Sequence, residues 1–408
     1  MMKRLRNEAG TGNESPLRVL FAESQGELCG TGFALLAMLE HLDRSQIEPV
    51  YVSLTTNGGE MRASVEALGI PVAHVRTGRF REVSGTPRTV AGLARLIRKH
   101  RIDLVFANTG HTLLFARPAA VATRRLCVWW CHGYVPKEKA GFEPIALAQR
   151  VLSQDVIFAN SEFTALGLQG DFPPPTTIRV VRPGVNVERF RPDPEAGARM
   201  RGEIGIPAGE AVIGIFGRLQ HWKGQHIFLR AAALLAGRGI RFTALVAGGT
   251  LYGVEPEFAD ELKKLAEQLS LAGRVRFLGN LKNPQDWMNA CDVVVHASVE
   301  PEPWGLVVAE AMACGRAVLA SAAGGPLEMI DHRRTGWLTT PGDEVAMAAW
   351  LEILLANPAL RAELGEAARQ HAVMMLDARR AASRLCTELW RYWATRVAKI
   401  ELLPEISG

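Results

Sequence analysis

A chain of 408 residues is too long for one ordinary hydrophobic core and predicts two domains of roughly 150–200 residues each. With 48% hydrophobic and 22% charged residues, both signs mixed along the chain, the composition excludes disordered and collagen-like classes. The net charge of +5 and a pI near 9.0 favour anionic partners without choosing among phosphates, an acidic membrane surface and nucleic acid.

Residues 1–15 are polar and basic, lead into no apolar signal-peptide core, and read as a flexible N-terminus. A first domain is expected over residues 16–185. Its first run, Leu17–Ala22, has strand character, and a turn containing Gly26, Gly30 and Gly32 leads into an amphipathic helix, Phe33–Leu42. Strand-like runs at Pro49–Leu54, Leu104–Ala107, Leu126–Trp130 and Val156–Ala159 alternate with helical stretches Glu60–Leu68 and Pro87–Arg101. Such alternation predicts a doubly wound parallel sheet. Between Arg76 and Arg101 seven arginines and Lys99 stand against one acid, Glu82. That basic face reads either as a solvated helix or as a peripheral contact with anionic lipid. The apolar stretch Leu113–Cys131 is interrupted by Arg117, Arg124 and Arg125, short of the roughly 18 uncharged residues of a spanning helix.

The segment Arg182–Pro194, with three prolines and a glycine, reads as a linker. A second domain, 186–375, repeats the pattern with strands at Val212–Phe216, Phe242–Ala247, Val275–Leu278, Val293–His296 and Ala317–Ala320. Two Rossmann-like domains in tandem bind ligands at their strand C-terminal ends. The last amphipathic stretch, Leu376–Ala398 with Trp390 and Trp393, predicts a helix whose own pattern places it outside the second domain. No repeat of 20–50 residues is visible, which disfavours solenoids. Six cysteines scattered through apolar segments, with no zinc spacing, predict reduced core thiols in a cytoplasmic protein.

Three constellations carry chemistry, all in the second domain. Gly217-Arg218-Leu219-Gln220-His221-Trp222-Lys223-Gly224 joins a strand to a helix opening near Gln225. Two cations and two glycines at a helix N-terminus outline a diphosphate cradle, against the alternative of a solvated basic loop. In Glu302-Pro-Trp-Gly-Leu-Val-Val-Ala-Glu310, Glu302 falls at the entry of an apolar helix and Glu310 within it. A carboxylate in so apolar a helix must be paired, for example with Arg316, or bind a ligand such as a ribose diol. Ala323-Gly324-Gly325-Pro326 is a further glycine-rich turn at a strand end, offering backbone N–H groups to an anion or sugar.

GRLQHWKG, EPWGLVVAEAMACGRAVLASAAGGPLEMI and TGWL together resemble the donor-binding half of the large retaining glycosyltransferase family of GT-B fold, called family four or group one. The match runs through about Gly217–Leu338, and RPGVNVERF resembles that family's interdomain segment. The resemblance implies two Rossmann-like domains facing a cleft, with a C-terminal helix, 376–408, crossing back towards the first domain. It implies Arg218 and Lys223 on the nucleotide diphosphate with Gly217 beside them, and Glu310 on the ribose. Glu302 and the Gly305–Leu306 backbone would meet the donor sugar, with Gly324 and Gly325 nearby. In the first domain it is weaker: Gly30-Thr31-Gly32 departs from the adjacent glycines usual in that loop, and His132 resembles an active-site histidine that hydrogen-bonds a sugar hydroxyl. The implied function is transfer of a sugar, with retention, from a nucleotide-diphosphate sugar to a glycan, lipid-linked or small-molecule hydroxyl. A phosphate oxygen would accept the acceptor's proton, and no cofactor is required.

No Asp-x-Asp motif occurs, so metal independence is expected. Leu35 stands where a dinucleotide fingerprint wants glycine, and no Walker-type GK[ST] is present. No nucleic-acid module is recognisable, so nucleic acid is not an expected partner. The competing readings are a catalytically inactive sugar-nucleotide-binding protein and a GT-B epimerase or phosphorylase.

Overall fold

The computed structural model of the chain describes residues 15–24, 29–55, 59–77, 86–133, 152, 156–172, 176–250 and 254–401. These fall into two units that divide between Pro183 and Gly184 and again between Ala378 and Arg379. The first holds a parallel sheet of β1 (Leu17–Glu23), β2 (Ile47–Ser53), β3 (Val72–His74), β4 (Leu104–Ala107), β5 (Leu126–Cys131), β6 (Val156–Ala159) and β7 (Thr177–Val180), ordered β3-β2-β1-β4-β5-β6-β7. Its inner strands are buried on both faces, so they read as continuous apolar runs rather than alternating ones. Phe106 of β4 packs on Phe21 and Trp130 with ring centroids 5.1 and 5.8 Å apart, which seats the middle of the sheet.

The second unit carries β8 (Ala211–Phe216), β9 (Phe242–Ala247), β10 (Val275–Gly279), β11 (Val293–His296), β12 (Ala317–Ser321) and β13 (Trp337–Thr339), parallel in the order β10-β9-β8-β11-β12-β13. Alternate residues feed two core layers. Val212, Val294 and Val318 join the helix Leu306–Ala313 on one face, and Ile213, Val293 and Val295 join the helices Gln225–Gly237 and Glu344–Ala356 on the other. Both sheets reverse strand order once, between β1 and β4 and between β8 and β11. In open parallel sheets such reversals open a crevice at the strand C-terminal ends, where ligands bind.

Two sequence expectations change. The helix after β1 begins at Gly30, so Gly30 and Gly32 belong to its first turn and not to a turn before Phe33; Gly26 lies outside the described residues. The segment after Arg182 is no loose linker. Val185, Val187 and Phe190 are buried in the second unit, and Val185 exchanges backbone hydrogen bonds with Leu376 and Ala378. A Cβ on Gly184 would fall 2.4 Å from the Ala378 Cα, so only glycine allows that approach. The terminal helix, Ala378–Glu401, joins the first unit from Arg379 onward, outside the second unit. Arg179 pairs with its Glu388 at 2.8 Å, and Trp390 Nε1 donates to the Gln46 carbonyl at 3.1 Å. No single helix among the described residues is long and apolar enough to cross a membrane.

Candidate active site

At the reversal of the second sheet the chain leaves β8 through Gly217, with φ +137°, whose N–H donates to Ala247 at 3.0 Å. A Cβ on Gly248 would sit 1.8 Å from the Gly217 carbonyl oxygen, so glycine lets the ends of β8 and β9 close up. The Gly217 N–H is thereby committed to the protein. Gln225 Nε2 anchors the Arg218 carbonyl at 2.7 Å, while the Arg218 guanidinium has no hydrogen bond or ion pair among the described residues. Lys223 ends a 3-10 turn, His221–Lys223, drawn onto the end of β11: Trp222 accepts from Val299 N–H at 2.8 Å, and a Cβ on Gly224 (φ +73°) would lie 1.9 Å from Ala297 O. Lys223 Nζ stands 4.0 Å from the centre of the Trp222 ring and donates to Glu302 Oε2.

Glu302 is 7% exposed. Besides Lys223, its Oε2 receives Ser298 Oγ at 3.2 Å and His296 Nε2 at 3.3 Å. Burial works against its ionisation, but the Lys223 ammonium and the His296 contacts outweigh that and hold the carboxyl well below the usual range. Burial pulls the Lys223 ammonium down in turn, opposed by Glu302. The residues His296 and Ser298 were missed by sequence reasoning as parts of the site, although their signal was a polar pair closing an all-valine strand.

Glu302 also forms a parallel bridge with Gly324, and Gly325 N–H donates to Glu302 O at 2.7 Å. A Cβ would meet Glu302 O at 2.1 Å from Gly324 and Trp304 O at 2.3 Å from Gly325. This corrects the sequence expectation: the pair of glycines fixes the Glu302 segment by close approach, and the Gly325 N–H is spent there rather than offered to a ligand. The helix Leu306–Ala313 opens at Gly305, φ +92°, with no side-chain cap on its first turn.

The Glu310 carboxyl, inside that helix, makes no hydrogen bond or ion pair among the described residues. The proposed structural partner, Arg316, is engaged elsewhere, donating to Cys314 O at 3.0 Å and Cys291 O at 3.5 Å. Burial pushes the Glu310 carboxyl up to about 7, with Arg189 pulling the other way. The second unit thus brings Lys223, His296, Ser298, Glu302 and the Gly324–Gly325 turn into one cluster, and leaves Arg218 and Glu310 unpaired.

The first unit presents its own polar cluster where its sheet reverses. Glu23 closes β1 and is fully buried, and its Oε2 accepts from Asn108 Nδ2, just past β4. Asn108 Oδ1 lies 3.1 Å from Nε2 of His132, which follows β5 and packs on Trp130 at 4.3 Å. Burial pushes this imidazole down to about 3. Glu23 and Asn108 escaped sequence reasoning because each looks like an ordinary strand end. The six cysteines are buried and none forms a disulfide. Among the described residues no group of three or more His, Cys, Asp or Glu side chains is placed to hold a metal ion. Of the basic segment, Arg79, Arg81 and Glu82 lie outside the described residues; Arg88, Arg95, Arg98, Lys99 and Arg101 are exposed.

A family model described as Glycosyl transferases group 1 matches residues 198–371, and one described as Glycosyltransferase Family 4 matches residues 30–189. The chain belongs to the group 1 glycosyl transferases of GT-B fold. It is 33% identical over 291 residues to D-inositol 3-phosphate glycosyltransferase of Saccharomonospora viridis, which is 69% of this chain and 64% of that protein. It is 40% identical over 205 residues to the protein of the same name from Streptomyces avermitilis, 48% of this chain and 43% of that one. The group 1 chain therefore spans less than two thirds of these relatives. Among solved structures it is similar to Anabaena Alr3699/HepE in complex with UDP-glucose, with a TM-score of 0.81 and 26% identity over 92% of this chain and 100% of that one. Sucrose-phosphate synthase from Thermosynechococcus elongatus shares the fold, with a TM-score of 0.76 and 20% identity.

Proposed function

We propose that this group 1 family member transfers a sugar, with retention and without a metal, from a nucleoside diphosphate sugar to a hydroxyl acceptor. The observation that carries this reading is the unpaired carboxyl of Glu310. A structural carboxylate so placed would have found a cation, whereas a ribose diol supplies two O–H donors to one carboxylate. Arg218 and Lys223 are the cations for the diphosphate, whose departure they stabilise as the bond from C1 to the phosphate oxygen breaks. Glu302, its Oε2 already holding three donors, is a weak nucleophile. This favours attack by the acceptor hydroxyl itself, its proton passing to the leaving phosphate as the new C1–O bond forms.

UDP-glucose is the ligand of the HepE complex, and the curated relatives are named for an inositol phosphate acceptor, so these head the test. UDP-, GDP- and ADP-sugars are assayed for hydrolysis and for transfer to inositol phosphate, oligosaccharides and lipid-linked sugars, with EDTA present. The expected product keeps the donor's anomeric configuration. An inverted product sinks retention, and activity lost to EDTA sinks metal independence. Donor binding with neither transfer nor hydrolysis assigns the chain to the binding-protein alternative.

The reading extends to the cytoplasmic face of the membrane. The helix Thr86–Lys99 spends Thr89, Leu93, Ala94 and Ile97 on the core, which leaves exposed cations and no spare apolar face. Contact with anionic lipid would therefore be electrostatic, and would gather a lipid-linked acceptor. The protein should sediment with phosphatidylglycerol vesicles at low salt and be released at high salt; failure to sediment at low salt removes the membrane from the proposal.

A further inference from the structure

We propose that Glu23 and Asn108 are positioning residues that fix His132 in its Nε2–H tautomer, so that Nδ1 is presented as a hydrogen-bond acceptor to a substrate hydroxyl. The identity of that substrate rests on the transferase reading; the tautomer follows from the first unit alone. Asn108 Nδ2 is bonded to Glu23 Oε2 and stands 3.2 Å from the carbonyl of Thr31, in the first turn of the helix Gly30–Glu40. A peptide carbonyl only accepts, so the nitrogen of the Asn108 amide must face this side. Its oxygen is thereby turned to His132 Nε2, 3.1 Å away, and an amide oxygen also only accepts. The imidazole proton must therefore sit on Nε2, leaving the lone pair on Nδ1, which has no partner among the described residues.

The rest of the cluster serves the same end. Glu23 Oε1 accepts the Ser24 N–H at 2.7 Å, which holds the carboxylate against Asn108. Asn160, after β6, donates to the His132 carbonyl at 3.1 Å and steadies the backbone on the far side. Among the described residues the charge facing this histidine is that of Glu23, relayed through Asn108, while the neighbouring Cys131 thiol is pushed up to about 12 by burial and stays neutral. The same burial keeps His132 uncharged through the physiological range, so Nδ1 is never blocked by a proton.

The test is nitrogen NMR of the full chain labelled with 15N-histidine, His132 being assigned by its loss in His132→Gln. The expected wild-type signal is a neutral Nε2–H imidazole, unchanged from pH 8 to pH 5. Asn108→Leu should give a mixed tautomer. Because that change strands the Glu23 carboxylate, Glu23→Gln/Asn108→Leu is measured beside it and should give the same result with the native fold kept. With UDP-glucose as donor, these variants should lose about three- to tenfold in kcat, the worth of one hydrogen bond, with donor KM within about twofold. A wild-type His132 protonated on Nδ1, or titrating between pH 5 and 8, overturns the proposal, as does a folded double variant with wild-type kcat. If the wild-type chain turns over no donor at all, the transferase reading falls and with it the role of Nδ1 toward a hydroxyl, while the resonances still decide the tautomer.

Discussion

Lys223→Ala is expected to lower donor turnover by about 10²–10³-fold and to destabilise the protein by about 3–5 kcal/mol. The two losses have different causes. Turnover falls because the ammonium that would take up charge on the departing diphosphate is gone. Stability falls because Glu302 is left buried with His296 and Ser298 and without its counter-charge. Removing one member of a buried pair strands the other, which costs far more than the pair itself is worth. The double variant Lys223→Ala/Glu302→Gln separates the two: it should regain most of the unfolding free energy, measured in denaturant, while turnover stays low. A single variant with the wild-type unfolding midpoint would show that the pair is not load-sharing, and a double variant with wild-type turnover would remove Lys223 from the diphosphate. Lys223 is held by Glu302, so a diphosphate bound at this loop would compete with that carboxylate for the cation.

The distribution of legible and illegible features follows from how each is encoded. The longer strands announced themselves, since a parallel strand covered on both faces is a continuous apolar run. Strands β3, β7 and β13 did not, because three or four residues at a sheet's edge carry too little pattern to separate from a loop. The residues proposed for the donor could be singled out because they lie close together in sequence: Arg218 and Lys223 share one loop, and Glu302 and Glu310 one helix entry. What could not be read was the partner of each side chain. Lys223 and Glu302 stand 79 residues apart, and their pairing depends on β8 and β11 being neighbours in the sheet. Glu23 and Asn108 stand 85 apart and meet for the same reason at the reversal of the first sheet. Glycine was legible as a turn residue, but its second use was not. At Gly248 and Gly324 the missing Cβ admits another backbone, a demand set by a strand far along the chain.

Glu310 should make donor binding and folding respond to pH in opposite directions. Its carboxyl, pushed from an ordinary 4.5 up to about 7, holds its proton in the folded chain after the unfolded chain has released it. That excess of bound protons contributes stability that is complete below about pH 4.5 and is lost as pH rises through 7. The loss should reach about 2 kcal/mol, allowing for the partial solvent contact of the carboxyl. Donor binding runs the other way. A ribose diol donates to the ionised carboxylate, so affinity should rise roughly tenfold between pH 6 and pH 8 and then level off. A nucleotide sugar suits the measurement, since its diphosphate diester keeps its charge across that range and contributes no slope of its own. In Glu310→Gln the side chain cannot ionise: donor affinity should be flat with pH and weaker than wild type at pH 8, and the unfolding free energy above pH 7 should rise. Calorimetric titration of UDP-glucose and denaturant unfolding at matched pH values read both effects. A wild-type affinity that does not change between pH 6 and 8, or a glutamine variant that keeps full affinity at pH 8, would detach Glu310 from the ribose and leave it an ionisable group without a task.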